Sequence, residues 1–498
     1  MRRIDAAGLL LLALSLASLS YRLGAVPALT GDEAWIGIFV QRLRSYGAVT
    51  PHQMNTYTGP LFAWCVSAVS SFFAPGVGGL RAFGAAMNAL AFAAYWLHLR
   101  RRVSAEAAAS WGLLLAGSAF LLLKSRLAWE VYALQPLLIA GILSALARPG
   151  STVALALLCV AGTQNHFIFL SVPASLVVLF GVRAAWDGDE AAFPNLRSST
   201  AALAASVAFA VLKSRITDAS WTAHRPDWAA ALVLAPLLAG VAAAYAPDAL
   251  RIEPWRRLRR PLEVAFALTM LAFGVWHLVP MVQLLAGPVV YARVFSLPLP
   301  LWARLPLLAW GSFLAALVVW NSAGARTRPG LAPHERTLLL WPAAFACVFI
   351  AFRHTSSLRY YSIPACVWLA ALSAALPRMA RRDQSKLVPV ALAAALVAQG
   401  LVWRELASPA DRAPLKFKVG WRRESSWDFA RKDALFAAFD ASRACRIGHM
   451  ERSFVAIPLQ FHSLERTGGC EADRVFDADQ CPECPSAPYY RWAVGPAK

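Results

Sequence analysis

Apolar residues run in long blocks separated by short polar breaks that are mostly basic. The first block follows Met1-Arg2-Arg3 and covers Ala6 to Leu19. Others lie near 81–99, 105–123, 131–147, 151–163, 167–182, 199–213, 229–246, 262–280, 304–320, 337–352, 360–376 and 387–403. A helix rises 1.5 Å per residue, so crossing about 30 Å of hydrocarbon takes roughly 20 residues. The pattern predicts about 13 transmembrane helices, several of them short. No small-residue cleavage site follows the first block, so it is expected to stay as an uncleaved helix.

Two segments break the rhythm. Leu61 to Phe73 is apolar for only about 13 residues, roughly 20 Å of helix, too little to span. Pro60 precedes it and Pro75-Gly76 ends it, so it is expected in the membrane interface. The block over 151–182 is split by Gln164-Asn165-His166 and reads as two short helices joined by a tight turn.

Charge sets the orientation. With this count about 20 basic residues fall on one side and about 12 on the other, and the clusters Arg100–Arg102 and Arg256–Arg260 fall on the richer side. That side is the cytoplasmic one, with the N-terminus inside and the chain from about residue 404 outside. Residues 404–498 hold 15 of the 48 basic residues and no spanning block. The chain therefore divides into a transmembrane domain, 1–403, and a small soluble extracytoplasmic domain, 404–498.

Composition excludes the other classes. Hydrophobic residues are 58%, charged residues 15%, and mean hydropathy is +0.50. So few charges cannot cover a soluble fold of 498 residues. An all-α polytopic membrane protein remains. The net charge of +20 is assigned to loops facing anionic membrane lipids, and no nucleic-acid partner is expected. The Ala- and Arg-rich composition points to a GC-rich bacterium, hence to an inner membrane with the C-terminal domain periplasmic or extracellular.

Candidate chemistry begins in the first external loop, Thr30-Gly31-Asp32-Glu33-Ala34-Trp35-Ile36. Trp35, Ile36, Phe39 and Leu43 recur at helical spacing, the mark of an interfacial helix. The adjacent carboxylates Asp32 and Glu33 either cap that helix or act on a substrate. After them come Tyr46-Gly47, Tyr57-Thr58-Gly59-Pro60-Leu61 and Leu80-Arg81-Ala82-Phe83-Gly84. Lys124-Ser125-Arg126-Leu127-Ala128-Trp129-Glu130 and Arg353-His354-Thr355-Ser356-Ser357-Leu358-Arg359-Tyr360-Tyr361 lie in later external segments.

This order resembles the GT-C superfamily of polyprenyl-phosphate-dependent glycosyltransferases, in particular its protein O-mannosyltransferase and aminoarabinose-transferase branch. The resemblance covers about residues 1–403. It implies a GT-C-like fold with interfacial helices in the first external loop, an acidic pair after the first helix, and an Arg opening the next spanning helix, where Arg81 stands. It also implies an Arg with a carboxylate in the second external loop, where many members have Asp in place of Glu130, and an Arg-Tyr motif before a late helix.

The chemistry of such a transfer needs a base for the acceptor's proton and cations for the leaving phosphate. Phosphate leaves readily, with a second pKa of roughly 6, so a general acid is dispensable. Asp32 is the expected base, with Glu33 and Glu130 as further catalytic carboxylates that orient substrate; Asp32, Glu33 or Glu130 would hold a divalent metal if one is used. No cofactor is otherwise expected. Lys124, Arg126, Arg353 and Arg359, with His354 and Tyr360, are expected to bind the donor phosphate. Basic side chains at helix ends also snorkel to headgroups with no substrate role. Tyr57 and His166 are candidate substrate contacts, and His166 reads equally as a satisfied polar turn.

Four cysteines lie in the tail: Cys445, Cys470, Cys481 and Cys484. They are expected to pair as disulfides in an oxidising compartment, in one of three pairings that the sequence leaves open; a four-thiolate zinc site, redox chemistry of Cys481-Pro482-Glu483-Cys484 and free thiols are the alternatives. The expected function is transfer of a sugar from a polyprenyl-phosphate donor to a lipid, glycan or protein acceptor on the extracytoplasmic face. The alternatives are a transporter or lipid flippase, against which the lack of two related halves speaks, and a non-catalytic assembly subunit with the same fold.

Overall fold

The computed structural model describes residues 2–24, 29, 31–46, 58–69, 72, 76–148, 151–186, 189–217, 235–242, 331–349, 362–382, 387–407, 430–447, 459–464 and 469–476. Its helices are α1 (Arg2–Ser20), α2 (Gly31–Tyr46), α3 (Leu61–Val69), α4 (Val77–Arg102), α5 (Ala105–Ala116), α6 (Ala119–Lys124), α7 (Glu130–Ala133), α8 (Gln135–Leu146) and α9 (Thr152–Asn165). After them come α10 (Ser171–Gly181), α11 (Phe193–Thr217), α12 (Pro333–Phe349), α13 (Ser362–Arg382), α14 (Leu387–Ala407) and α15 (Ala430–Ser442). Three helical stretches are long and apolar enough to cross a membrane among the described residues: Val77–Arg102, Phe167–Ala184 and Glu190–Lys213. The blocks at 262–280 and 304–320, and most of 229–246, lie outside the described residues, so the count of thirteen is an expectation over them.

The block pattern breaks where the backbone must. The expected single helix over 105–123 stops at Gly117-Ser118 and resumes as α6. That over 131–147 is interrupted at Leu134, because Pro136, at the start of α8, has no N–H to donate to the preceding turn. The split expected within 151–182 falls at His166, between α9 and a 3-10 turn over Phe167–Leu170 that leads into α10. The segment expected in the interface is α3, nine residues long, about 14 Å, too short to span.

Polar groups mark the two ends of the bundle. Arg81 and His98 stand 17 residues apart on α4, about 26 Å along the axis. At the His98 end, the His98 and His334 rings stack at 5.6 Å, Arg183 pairs with Asp189 at 2.6 Å and donates to Thr337 Oγ1, and Arg378 pairs with Glu335. At the Arg81 end lie the residues described below.

Between the ends, helices approach closely through small residues. In lipid, apolar side chains gain little by leaving one apolar medium for another, so close backbone contact carries helix association. Gly8 of α1 meets Gly112 and Ala109 of α5, and a Cβ added at Gly112 would lie 2.1 Å from the Gly8 carbonyl oxygen. Ser104 caps α5, its Oγ accepting from Ala107 N at 3.0 Å.

The tail adds a small α/β unit. α15 leads into β1 (Ala444–Ile447), which pairs in parallel with β2 (Glu471–Phe476). A disulfide joins Cys445 to Cys470 beside this pairing. Cys481 and Cys484 lie outside the described residues.

Replacing Gly112 with Val is expected to force α1 off α5. Overpacking costs about 1–3 kcal/mol where a side chain can yield, and here the obstacle is backbone. Thermal unfolding in detergent should show a lower midpoint and a reduced folded yield for Gly112→Val.

Candidate functional site

The site is organised around a carboxylate that faces inward. α2 begins at Gly31, and Glu33 in its first turn is fully buried, beside buried Ala34, Ile36, Ile38, Phe39 and Val40. A buried carboxylate is tolerated only when paired and hydrogen-bonded. Arg81, also fully buried, donates from Nε to Glu33 Oε1 at 2.7 Å and from Nη2 to Oε2 at 2.8 Å. This two-pronged match of guanidinium to carboxylate is the strong geometry for such a pair. Glu33 Oε1 also accepts from Ala128 N at 2.8 Å, and Arg81 Nη1 donates to the Leu23 carbonyl at 2.8 Å. One ion pair thus ties α2 to α4, to the segment after α1 and to the loop after α6.

Arg126, in that loop, turns toward α1. Its Nη1 and Nη2 donate to the carbonyls of Ser18, in the last turn of α1, and Tyr21, just past it, at a helix end that carries partial negative charge. Burial, and after it the nearby charge of Arg81, push the Arg126 guanidinium down to about 9, so it stays charged at neutral pH. Arg22 Nη1 donates to the Leu406 carbonyl at 2.9 Å, bringing the end of α14 to the same place. Lys124, the last residue of α6, is buried with its Nζ 4.7 Å from the centre of the Trp129 ring.

A second group of polar residues adjoins the first through Glu130. Thr58 Oγ1 donates to Glu130 Oε1 at 3.2 Å, and Asn165 Nδ2 donates to the Glu130 carbonyl at 2.9 Å. Thr58 and His166 form an antiparallel bridge, and Gly59 N donates to the Asn165 carbonyl at 3.0 Å. His166 Nδ1 accepts from Ile168 N at 3.0 Å, so this ring caps the 3-10 turn that follows it. Phe167 carries Lys213 on its face, the ammonium 4.5 Å from the ring centre.

The structure brings together Glu33, Lys124, Arg126, Glu130 and His166 of the expected residues, and places Asp32 beside Glu33 in the first turn of α2. Tyr57, Arg353, His354, Arg359 and Tyr360 lie outside the described residues. Sequence reasoning did not assign Lys213, Thr58 or Asn165 to the site. Lys213 showed only as a charge ending an apolar block, Thr58 stood in the Tyr57–Leu61 motif with no role of its own, and Asn165 read only as part of a polar break. Among the described residues no three His, Cys, Asp or Glu side chains converge as metal ligands. Glu33 does not fit a cation, since Arg81 and Ala128 N occupy both its oxygens.

Glu33→Gln should unfold at a clearly lower temperature than the unmodified protein. Removing one partner of a buried pair costs about 3–5 kcal/mol, because the other charge is left uncompensated. The double change Glu33→Gln with Arg81→Met should recover part of that loss, which detergent unfolding of the three proteins will show.

Neither known protein families nor characterised proteins match this sequence. The fold does have solved counterparts. The oligosaccharyltransferase of Archaeoglobus fulgidus, in a crystal structure with Zn and sulfate, is similar at a TM-score of 0.53 and 15% identity, over 87% of this chain and 55% of that one. This chain therefore spans about half the length of that protein. ArnT from Cupriavidus metallidurans, bound to undecaprenyl phosphate, aligns over 75% of this chain and 79% of its own at 16% identity, with a TM-score of 0.37. The likeness to the archaeal oligosaccharyltransferase is a likeness of fold.

Proposed function

We propose that the chain is an integral membrane glycosyltransferase. It takes a sugar from a polyprenyl-phosphate donor and passes it to a hydroxyl-bearing lipid, glycan or protein acceptor on the extracytoplasmic face. The observation that carries the reading is the buried knot of Glu33, Arg81, Ala128 and Arg126. It fixes the first turn of the acid-bearing helix at the end of the bundle where Glu130, Lys124 and Lys213 also gather. A preorganised set of charges there suits a donor whose phosphate must stay at the headgroup level.

In the proposed reaction the acceptor oxygen attacks the anomeric carbon while the bond from that carbon to the phosphate oxygen breaks. The electron pair leaves with polyprenyl phosphate, the acceptor's proton passes to Asp32, and a single displacement inverts the anomeric centre. Glu33 holds α2 in place and takes no proton, since its carboxylate is committed to Arg81. Glu130, hydrogen-bonded to Thr58, orients substrate. Lys124, Arg353 and Arg359, with His354 and Tyr360, bind the phosphate, and Arg126 adds its field while its donors hold α1. Tyr57 and His166 line the sugar or acceptor. The membrane is the bacterial inner membrane, with the N-terminus cytoplasmic.

Asp32→Asn should fold and lose activity. Asn nearly matches Asp in shape but accepts no proton as the carboxylate does. A positioned base is worth about 10²–10⁴ in rate. Turnover of a defined polyprenyl-phosphate sugar, at matched expression and with donor binding measured alongside, should fall by that factor while binding holds. Near-normal turnover would remove Asp32 from the role.

A further inference from the structure

The tail is not merely appended to the bundle. Its helical turn at 459–464 carries Phe461, which is 2% exposed and packed into the main apolar core with the α2 residues Ile36, Ile38 and Phe39. The seat is Gly37. A Cβ added there would lie 2.1, 2.5 and 2.8 Å from three atoms of the Phe461 ring, so the ring fills the space that a side chain on α2 would take. Gly37 is one helical turn after Glu33. The turn bearing Phe461 is itself held to the tail. His462 Nε2 lies 2.9 Å from Asp440 Oδ2 of α15, and its ring stacks on Phe436 at 4.5 Å and 5°. α15 runs into β1, which the Cys445–Cys470 disulfide joins to the residue before β2.

From this seating we propose that Phe461 is a positioning residue: the tail clamps the acid-bearing helix α2 through a ring-in-glycine contact at Gly37. Glu33 and Arg81 hold the first turn of α2 from inside the bundle, and Phe461 holds its second turn from the tail. The tail is then part of the machinery that sets α2. Its effect on turnover rests on the glycosyl-transfer reading, whereas the seating and the holding of α2 do not.

Three measurements on the full-length protein test this. First, Gly37→Cys with Phe461→Cys removes the ring and leaves two thiols facing across the vacated space. Oxidation in native membranes should cross-link them, seen as a linked peptide by mass spectrometry. Absence of the link would overturn the seating. Second, hydrogen exchange of the α2 amides should rise about tenfold in Phe461→Ala and in Gly37→Ala, stay near the unmodified rate in Phe461→Leu, and remain unchanged in α5 and α13 of all three. Unchanged α2 exchange in Phe461→Ala would overturn the clamp. Third, Phe461→Ala should lower kcat about tenfold or more with KM for donor and acceptor nearly constant, and Phe461→Leu should restore most of it, because small displacements of a catalytic element cost that much. Normal kcat, or a raised KM with normal kcat, would overturn the positioning role. Inactivity of the unmodified protein toward polyprenyl-phosphate sugars would count against the glycosyl-transfer reading alone, and the cross-link and exchange results would still decide the clamp.

Discussion

A buried carboxylate must find a cation, and in this protein that requirement fixes one end of the bundle. Glu33 lies in the first turn of α2, out of water, where an unpaired charge costs several kcal/mol. Arg81 meets both its oxygens, and the third bond comes from the backbone of Ala128. Four separate pieces of chain converge as a result: the end of α1, α2, the start of α4 and the loop after α6. Arg126 is drawn into the same place by the carbonyls of α1, with its own cost of burial offset there.

The apolar middle of the bundle works by a different rule. Close backbone contact at Gly8 and Gly112 does there what charge does at the ends. The result is a scaffold in which, among the described residues, charged clusters stand at two levels about 26 Å apart along α4. Such an arrangement suits chemistry on a molecule that is part lipid and part sugar phosphate. In the proposed transfer its hydrocarbon stays at the level of the apolar helices while the reacting bond sits with the charges. Holding α2 from the bundle and from the tail then gives the acid-bearing turn little freedom, which is what a site that orients two substrates requires.

Much of this was legible in the sequence because hydrophobic blocks report helices directly. The split at Gln164-Asn165-His166 and the shortness of the apolar run from Leu61 to Phe73, of which α3 is the described helix, followed from polarity and length alone. The breaks at Gly117-Ser118 and Leu134 did not, since an apolar run looks the same whether one helix or two pass through it. At the site, motif order singled out Glu33, Lys124, Arg126 and Glu130, and the structure gathers them at one end. It could not distribute the work among them. Glu33 and Asp32 are neighbours of the same type, and only coordinates show that Glu33 is buried against Arg81, 48 residues away. Lys213 and Phe461 gave no signal, because each acquires its meaning from a partner distant in sequence. The Cys445–Cys470 pairing likewise needed coordinates, since four cysteines allow three pairings.

In the proposed function a sugar is moved off a polyprenyl phosphate at the Glu33–Arg81 end of the bundle. The most direct measurement is product analysis after the purified protein, in lipid vesicles, is given polyprenyl-phosphate sugars of known anomeric configuration and a mixed set of acceptors. Mass spectrometry and NMR should find glycosylated acceptor, an equal amount of released polyprenyl phosphate, and an anomeric centre of inverted configuration. Movement of the intact donor across the bilayer with its glycosyl–phosphate bond uncleaved, or transfer with the configuration retained, would contradict the account.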